Sequence, residues 1–208
     1  MNSHEVLEYA HITQSNASCY RDGFVAAYQE AFGGPPYFEH YEPRDVIDKV
    51  WTPHLALGVI VIAHSDQCVI GFGCAEPVTA EKDIAEFLEL KLATGVLNVP
   101  LDSMWYMSEL GVLASHRRRG IGMALITQRL LLVTEQGIPY YVMRTAAQGS
   151  NSCRLYRHIG AVEIPGLQDV SASDQVTESG SQSTQRVYLY GNCIDAIRRI
   201  AENHQGAA

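Results

Sequence analysis

Residues 108–125 constrain the fold of this chain more than any other stretch. A strand-like apolar segment leads into a basic turn, Arg117-Arg118-Arg119-Gly120-Ile121-Gly122, which opens a strongly apolar helix from Ile121 to about Glu135. The first N–H groups of a helix lack intrahelical partners and carry the positive end of its dipole. Gly120 and Gly122 remove Cβ atoms, so an anion can approach these groups, and the arginines add charge for phosphate oxygens. The turn therefore predicts a phosphate site; the alternative is a helix start with a solvated basic patch.

Two common nucleotide loops do not fit this turn. A Walker A loop requires a lysine directly after its last glycine, and no lysine follows Gly120 or Gly122. A Rossmann loop requires a third glycine where this chain has Leu125, and an acidic residue about 20 positions further on. That later region contains tyrosine, methionine and arginine but no acid. The turn therefore argues against both a Walker A loop and a Rossmann dinucleotide loop.

The rest of the chain alternates strand and helix patterns, which predicts a mixed α/β fold built on a central sheet. Residues 166–185 are rich in Ser, Gln, Asp and Thr and predict a mobile loop, and an isoleucine stripe predicts a C-terminal helix over residues 193–204. The predicted strands are Val6–Ile12, Leu55–Ala63, Val69–Ala75, Met104–Leu113, Tyr140–Thr145, Val162–Pro165 and Arg186–Tyr190, the second and third forming a hairpin.

Composition restricts the class of protein. The 208 residues suit a single domain over 1–208, and 47% hydrophobic with 18% charged residues is a globular composition. A net charge of −8 argues against a nucleic-acid or anionic-membrane binder. Five scattered cysteines without a CxxC pair predict reduced thiols and no metal site. Without signal-peptide features or an apolar run of membrane-spanning length, we expect a cytoplasmic protein.

Three features in register resemble the GNAT superfamily of acetyl-CoA-dependent N-acetyltransferases. Arg117-x-x-Gly120-x-Gly122 matches its [QR]-x-x-G-x-[GA] signature, and Leu110-Gly111-Val112 matches the L-x-V pattern that precedes it. Further on, Tyr156-Arg157-His158-Ile159-Gly160-Ala161 resembles the Y-x-x-x-G-[FA] segment, with Ala161 in place of the commoner Phe. The resemblance implies a mixed central sheet, splayed between strands four and five and flanked by helices.

The resemblance also implies a binding mode for acetyl-CoA, as a co-substrate. The pantetheine arm would lie along Leu110-Gly111-Val112, contacting the backbone of Leu110 and Val112, and the N–H near Leu110 would face the thioester oxygen. Asn151 is a further implied CoA contact, although the family's usual asparagine position is Gly149 here. The backbone N–H groups implied to bind the pyrophosphate are those of Arg117, Arg118, Arg119, Gly120, Ile121, Gly122 and Met123.

Catalytic and acceptor residues are carried over in the same way. Tyr156 occupies the position of a general acid that protonates the departing thiolate, and Glu109 that of a base that takes a proton from the amine. Each has a structural alternative, as a packing tyrosine or as a solvent-facing glutamate. The loop residues Tyr37, Phe38 and Tyr41 would wall the acceptor pocket, where Glu39 could help to hold a cationic amine; alternatively these rings pack on the core.

We therefore expect acetyl transfer from acetyl-CoA to a primary amine of a small molecule, by direct attack in a ternary complex. The alternatives are a transferase of the same fold that uses another acyl donor or aminoacyl-tRNA, and a non-catalytic CoA-binding sensor. Expected partners are the small-molecule amine acceptor alone, with a homodimer left open and with neither membrane nor nucleic acid.

Overall fold

A computed structural model describes residues 6–34, 38–66, 68–147, 151–171 and 183–205. Its strands are β1 (Glu8–Ile12), β2 (Val59–Ser65), β3 (Cys68–Pro77), β4 (Met104–Tyr106), β5 (Leu110–Val112), β6 (Tyr140–Ala146), β7 (Val162–Ser171) and β8 (Ser183–Asn192). Its α-helices are α1 (Ala17–Gly33), α2 (Pro43–Val46), α3 (Thr52–Leu57), α4 (Lys82–Ala93), α5 (Ile121–Glu135), α6 (Asn151–His158) and α7 (Cys193–Gln205), with a π-helical stretch, Ile47–Trp51, between α2 and α3.

Residues 1–75 and 109–129 form one of two compact units. In this unit β1, β2, β3 and β5 pair in that order, and every pair is antiparallel. Residues at helical spacing on α1 are buried against the sheet, and the ring of Phe24 lies 5.0 Å from both Trp51 and Phe72. Burying each such side chain contributes about 1.5–3 kcal/mol to folding, so this aromatic core fixes α1 on the sheet.

Residues 76–108 and 130–208 form the second unit. The last residues of β3 pair with β4, and β6, β8 and β7 follow in that order. The β4–β6 pair is parallel and the other pairs are antiparallel. Its core joins α4 to the sheet through Ile84, Leu88 and Tyr188, and Phe87 stacks on Tyr188 at 4.2 Å. None of the helices that the structure describes has both the length and the apolarity to span a membrane.

The predicted mixed sheet with flanking helices is confirmed, and so is the hairpin of β2 and β3. The strand expected from Leu55 begins only at Val59, because α3 continues through Leu57. The strand expected over Met104–Leu113 is two strands. Both pair with β3, and Met104–Tyr106 pairs in addition with β6, so the continuous strand is interrupted at residues 107–109.

The loop predicted over residues 166–185 is wrong at both ends, since β7 continues to Ser171 and β8 begins at Ser183. The register of the β7–β8 pair shifts between Ile164 and Gln168, and Gly166 has a φ of 111°. Pro165 and Gly166 therefore mark a bulge within a strand rather than its end. Residues 172–182 lie outside the described residues. The predicted C-terminal helix is present as α7, and the single domain stays a prediction.

Candidate functional site

The Arg/Gly turn connects β5 to α5 through a tight backbone path. A 3-10 turn over Ala114–His116 is followed by Arg118 with φ of 65° and Gly120 with φ of 81°. A left-handed conformation costs a residue with a Cβ roughly 1–2 kcal/mol, and glycine adopts it without that penalty. A Cβ at Gly120 would meet nothing within 4 Å. The backbone angle therefore favours glycine at position 120, and the space beside it is open.

The start of α5 presents hydrogen-bond donors at an exposed turn. Residues 117–120 are exposed, and the first helical bond in this turn runs from the Ala124 N–H to the Gly120 carbonyl at 3.1 Å. The N–H groups of Ile121, Gly122 and Met123 precede that bond in the first turn, where helix N–H groups have no intrahelical partner. Together with the helix dipole they form a geometry that suits an anion.

Arg117 holds the turn in place. Its Nε donates to the Val112 carbonyl at 3.0 Å and its Nη2 to the Ala31 carbonyl at 3.5 Å, which ties the turn to β5 and α1. Its backbone N–H donates to the Ala114 carbonyl at 3.4 Å, closing the 3-10 turn. The first donor of the predicted run from Arg117 to Met123 is therefore already engaged. Arg118 and Arg119 are exposed.

Two residues of β5, Leu110 and Val112, have backbone groups that point away from β3. The Leu113 N–H donates to Ile70 O, and the Cys74 N–H donates to Glu109 O, each at 2.9 Å. Because backbone groups alternate along an antiparallel strand, the N–H and C=O of Leu110 and Val112 point to the edge opposite β3. Val112 O is the acceptor for Arg117. The predicted pantetheine contacts are thus on one edge of β5.

Gly111, between these two residues, is required by packing. A Cβ at this position would lie 2.3 Å from Cζ of Phe72 and within 3.0 Å of two further atoms of that ring. Phe72 is fully buried, so the ring fills the space where another residue type would place its side chain. At this packing density the Phe72 ring leaves room at Gly111 for a hydrogen atom but not for a Cβ.

Two tyrosines and two glutamates form a cluster in the same unit. The Tyr41 hydroxyl donates to Oε2 of Glu39 at 2.7 Å, and the rings of Tyr28 and Tyr41 meet edge to face at 5.1 Å. Burial, followed by the charge of Glu109, raises the pKa of Tyr28. Burial, followed by the hydrogen bond and charge of Glu39, also raises the pKa of Tyr41. Both phenols therefore stay neutral while the carboxylates supply negative charge, an environment that suits a cation.

The three predicted acceptor residues have different outcomes. Tyr41 belongs to the tyrosine–glutamate cluster, and Gln29 holds its loop by donating to Tyr41 O at 2.6 Å. Phe38 is 71% exposed with φ of 54°, so it does not pack on the core. Tyr37 lies outside the described residues. Tyr28, a buried residue of α1, joins the cluster although it is just 4% exposed.

Tyr156 and Asn151 are in the second unit, on α6. Asn151 is exposed at the first position of this helix. Tyr156 is 1% exposed, and its ring centroid lies 5.8 Å from that of Tyr141. Gly160, in the matching segment, has a φ of 92°, and a Cβ there would lie 2.8 Å from Nε of Arg199. The roles of Tyr156 in proton donation and of Asn151 in CoA binding stay predictions. In the described part of the chain, no three His, Cys, Asp or Glu side chains group as metal ligands.

Comparisons with known proteins agree on one family. The model of the acetyltransferase (GNAT) family matches residues 24–161. No curated protein matches the sequence. Many solved structures share the fold at low sequence identity, and three of them illustrate the range.

The ribosomal-protein-alanine N-acetyltransferase from Brucella melitensis has a TM-score of 0.62 at 13% identity, covering 89% of this chain and 99% of its own. The N-acetyltransferase from Staphylococcus aureus has a TM-score of 0.62 at 11% identity, covering 90% and 99%. A protein of Salmonella typhimurium, solved with its cofactor acetyl-CoA, has a TM-score of 0.58 at 9% identity, covering 90% and 94%. At these identities the likeness concerns the fold.

Proposed function

The chain belongs to the acetyltransferase (GNAT) family, and from this premise we propose that it transfers an acetyl group from acetyl-CoA to the primary amine of a small molecule. The observation that carries the choice of acceptor is the tyrosine–glutamate cluster. A primary amine is mostly protonated at neutral pH, and a site with two carboxylates and two neutral phenols favours a cation over a neutral or anionic acceptor.

The donor side of the proposal rests on the turn and on β5. The N–H groups of Ile121, Gly122 and Met123 would bind the pyrophosphate, with Arg118 and Arg119 adding positive charge. The edge of β5 that carries the backbone groups of Leu110 and Val112 would pair with the amides of the pantetheine arm, as an added strand pairs with a sheet edge.

The reaction we propose is a direct attack. Glu109 takes a proton from the ammonium, and the amine nitrogen then attacks the thioester carbon, forming the C–N bond while the carbonyl oxygen becomes an oxyanion. The N–H of Leu110 stabilises that oxyanion. The C–S bond then breaks and the CoA thiolate takes a proton from Tyr156. The phenolate of Tyr156 recovers that proton from the nitrogen, which leaves a neutral amide, and Glu109 releases its own proton to water. In this scheme the products are an N-acetyl amine and free CoA.

The α-amine of a protein N-terminus is the second candidate acceptor. It is favoured by the likeness to the Brucella melitensis enzyme, which acts on the alanine of a ribosomal protein according to its name. Such an acceptor presents the same cationic amine on a much larger body. It requires room for an extended peptide beyond the amine, whereas a small amine does not.

The test is release of CoA thiol from acetyl-CoA with a panel of acceptors. The panel contains monoamines, amino acids, diamines and a decapeptide with a free N-terminus, and N-acetylated forms of the same compounds serve as blanks. We expect turnover with at least one small amine and acetylated product by mass spectrometry. Turnover with the peptide alone would instead identify a protein acceptor. Acetyl-CoA binding without any turnover would indicate a sensor.

A matched pair of variants tests the cluster itself. Glu39→Gln removes a carboxylate that contacts Tyr41, whereas Glu42→Gln makes the same change at an exposed position of the same loop. We expect Glu39→Gln to raise the KM of the cationic acceptor about tenfold, equivalent to about 1.4 kcal/mol. Glu42→Gln should leave it unchanged. Equal KM values in both variants would remove the cluster from the acceptor site.

A further inference from the structure

Arg129 is a fully buried cation in the middle of α5, with 0% of its surface exposed. Charged residues are almost never buried to this extent without specific partners. Its Nη1 donates to Cys74 O at 2.8 Å and to Glu109 O at 2.9 Å, and its Nε donates to Leu125 O at 3.4 Å. The guanidinium thus joins α5 to β3 and to the residue that precedes β5.

Strand β3 leaves space for this side chain. A Cβ at Gly73 would lie 2.7 Å from Nε of Arg129, 3.0 Å from its Cδ and 3.1 Å from its Cζ. Cβ atoms are essentially never found closer than 3.0 Å to a heavy atom of a residue that is not a neighbour in the chain. Any other residue at position 73 would therefore displace the guanidinium from the carbonyls it contacts.

The bond to Glu109 O has a consequence for Leu110. The carbonyl of Glu109 and the N–H of Leu110 belong to one planar trans peptide unit, so they point in opposite directions. Two donors hold that carbonyl on the β3 side, the Cys74 N–H at 2.9 Å and Arg129 Nη1 at 2.9 Å. The Leu110 N–H is thereby fixed toward the opposite edge. A cation at the carbonyl also polarises the peptide unit, which makes its N–H a stronger donor.

We propose that Arg129 is a positioning residue for acetyl transfer, which orients and polarises the Leu110 N–H through the Glu109 carbonyl. The inference rests on the proposed function, in which this N–H faces the thioester oxygen. Arg129 itself contacts no reacting atom in this scheme. Its contribution is to hold the donor in the orientation that the oxyanion needs before the reaction begins, which spares the cost of reorganisation.

The first test needs no substrate. In the 15N-labelled ligand-free protein, the Leu110 amide resonance reports on the direction and polarity of its peptide unit. We expect Arg129→Met, which keeps an unbranched apolar stem and removes the guanidinium, to move that resonance well beyond any change in a control variant. Ile126→Ala is the control, because it also truncates a buried residue of α5 and both variants can be matched by thermal melting. An unchanged Leu110 resonance in folded Arg129→Met would overturn the inference.

The second test uses S-acetonyl-CoA labelled with 13C at its ketone carbonyl, a stable analogue of acetyl-CoA. In the unmodified protein the carbonyl resonance should move downfield on binding, because a hydrogen bond withdraws electron density from its carbon. Arg129→Met should lose most of that shift and should lower kcat by about tenfold to a hundredfold, below the cost of removing an oxyanion donor outright. Ile126→Ala should retain both. A full shift and full kcat in Arg129→Met would refute the inference.

A substitute variant and the substrate-free measurement distinguish failure of this inference from failure of the proposed function. If Arg129→Met does not fold, Gly73→Ala displaces the guanidinium while keeping its charge, and it should move the Leu110 resonance and lower kcat in the same direction; no effect would refute the inference. If the unmodified protein neither binds the analogue nor turns over, the proposed function fails. The Leu110 amide experiment then still decides whether Arg129 positions this peptide unit.

Discussion

Gly111→Ala tests the packing beneath β5, because the added Cβ would lie 2.3 Å from Cζ of Phe72. The ring has little freedom to move away. It is fully buried, and the rings of Phe24, Tyr28 and Phe32 lie 5.0, 5.4 and 6.0 Å from it. Overpacking a core typically costs about 1–3 kcal/mol, and a contact this short among four rings belongs at the upper end.

We therefore expect Gly111→Ala to lower the free energy of unfolding by about 2–3 kcal/mol, or Tm by about 4–12 °C for a chain of this size. Phe72→Leu should remove the clash, since leucine has no ring beneath position 111. Alone, Phe72→Leu should destabilise by leaving space in the core. The double variant should be more stable than the sum of the single changes predicts, by at least about 1 kcal/mol.

Urea unfolding followed by circular dichroism gives the four free energies of this cycle. Gly71→Ala is an informative companion, because its Cβ would be 3.1 Å from Gly111 O and 3.3 Å from the side chains of Ile121 and Leu125, contacts that small shifts can relieve. It should cost less than Gly111→Ala. A Gly111→Ala variant within about 0.5 kcal/mol of the unmodified protein, or strict additivity in the cycle, would refute the close contact.

Three other outcomes are expected. Gly122→Glu should abolish acetyl-CoA binding by calorimetry, since it puts a side chain and a negative charge at the N–H groups of α5; unchanged affinity in a folded variant would mean that the turn is not the site. Tyr156→Phe should lower kcat much more than acetyl-CoA affinity, because it removes a proton donor and keeps the ring; equal turnover would leave a packing role. Burial raises the pKa of Cys193 from 9.0 to about 12, so the unfolded chain loses this proton first and stability should fall between pH 9 and 12. Cys193→Ala should flatten that fall, and an unchanged slope would contradict the shift.

Signals within a few residues of each other made part of the fold predictable. Helix α5 has the bounds expected from its sequence, because Gly120 sets its start and Gly137 and Pro139 follow its end. The interruption of the strand at residues 107–109 was not predictable, since the pattern of residues 104–113 is that of one apolar strand. The break depends on how the two halves pair with β3 and β6, which are distant in sequence, and an apolar run alone does not reveal its partners.

The site was predictable where a motif fixes the backbone, and less so where side chains meet across the fold. The turn at Gly120 follows from its motif. The hydrogen bond from Arg117 to the Ala31 carbonyl, by contrast, depends on how α1 lies against β5. Tyr28 lies on the buried face of α1, but the charges near its hydroxyl come from Glu39 and Glu109, on other parts of the chain. Such contacts carry no periodic signal in sequence.

The fit of Arg129 against Gly73 makes the order of substitutions matter over evolutionary time. An ancestor with glycine at position 73 and any residue at position 129 can acquire the arginine in one step. Once a larger side chain replaces Gly73, the space that the guanidinium occupies is gone, and a later return to arginine would meet that side chain. Loss of the glycine therefore blocks arginine at position 129 until glycine returns at position 73. Among related sequences we expect arginine at position 129 only where position 73 is glycine, while glycine at position 73 persists with other partners.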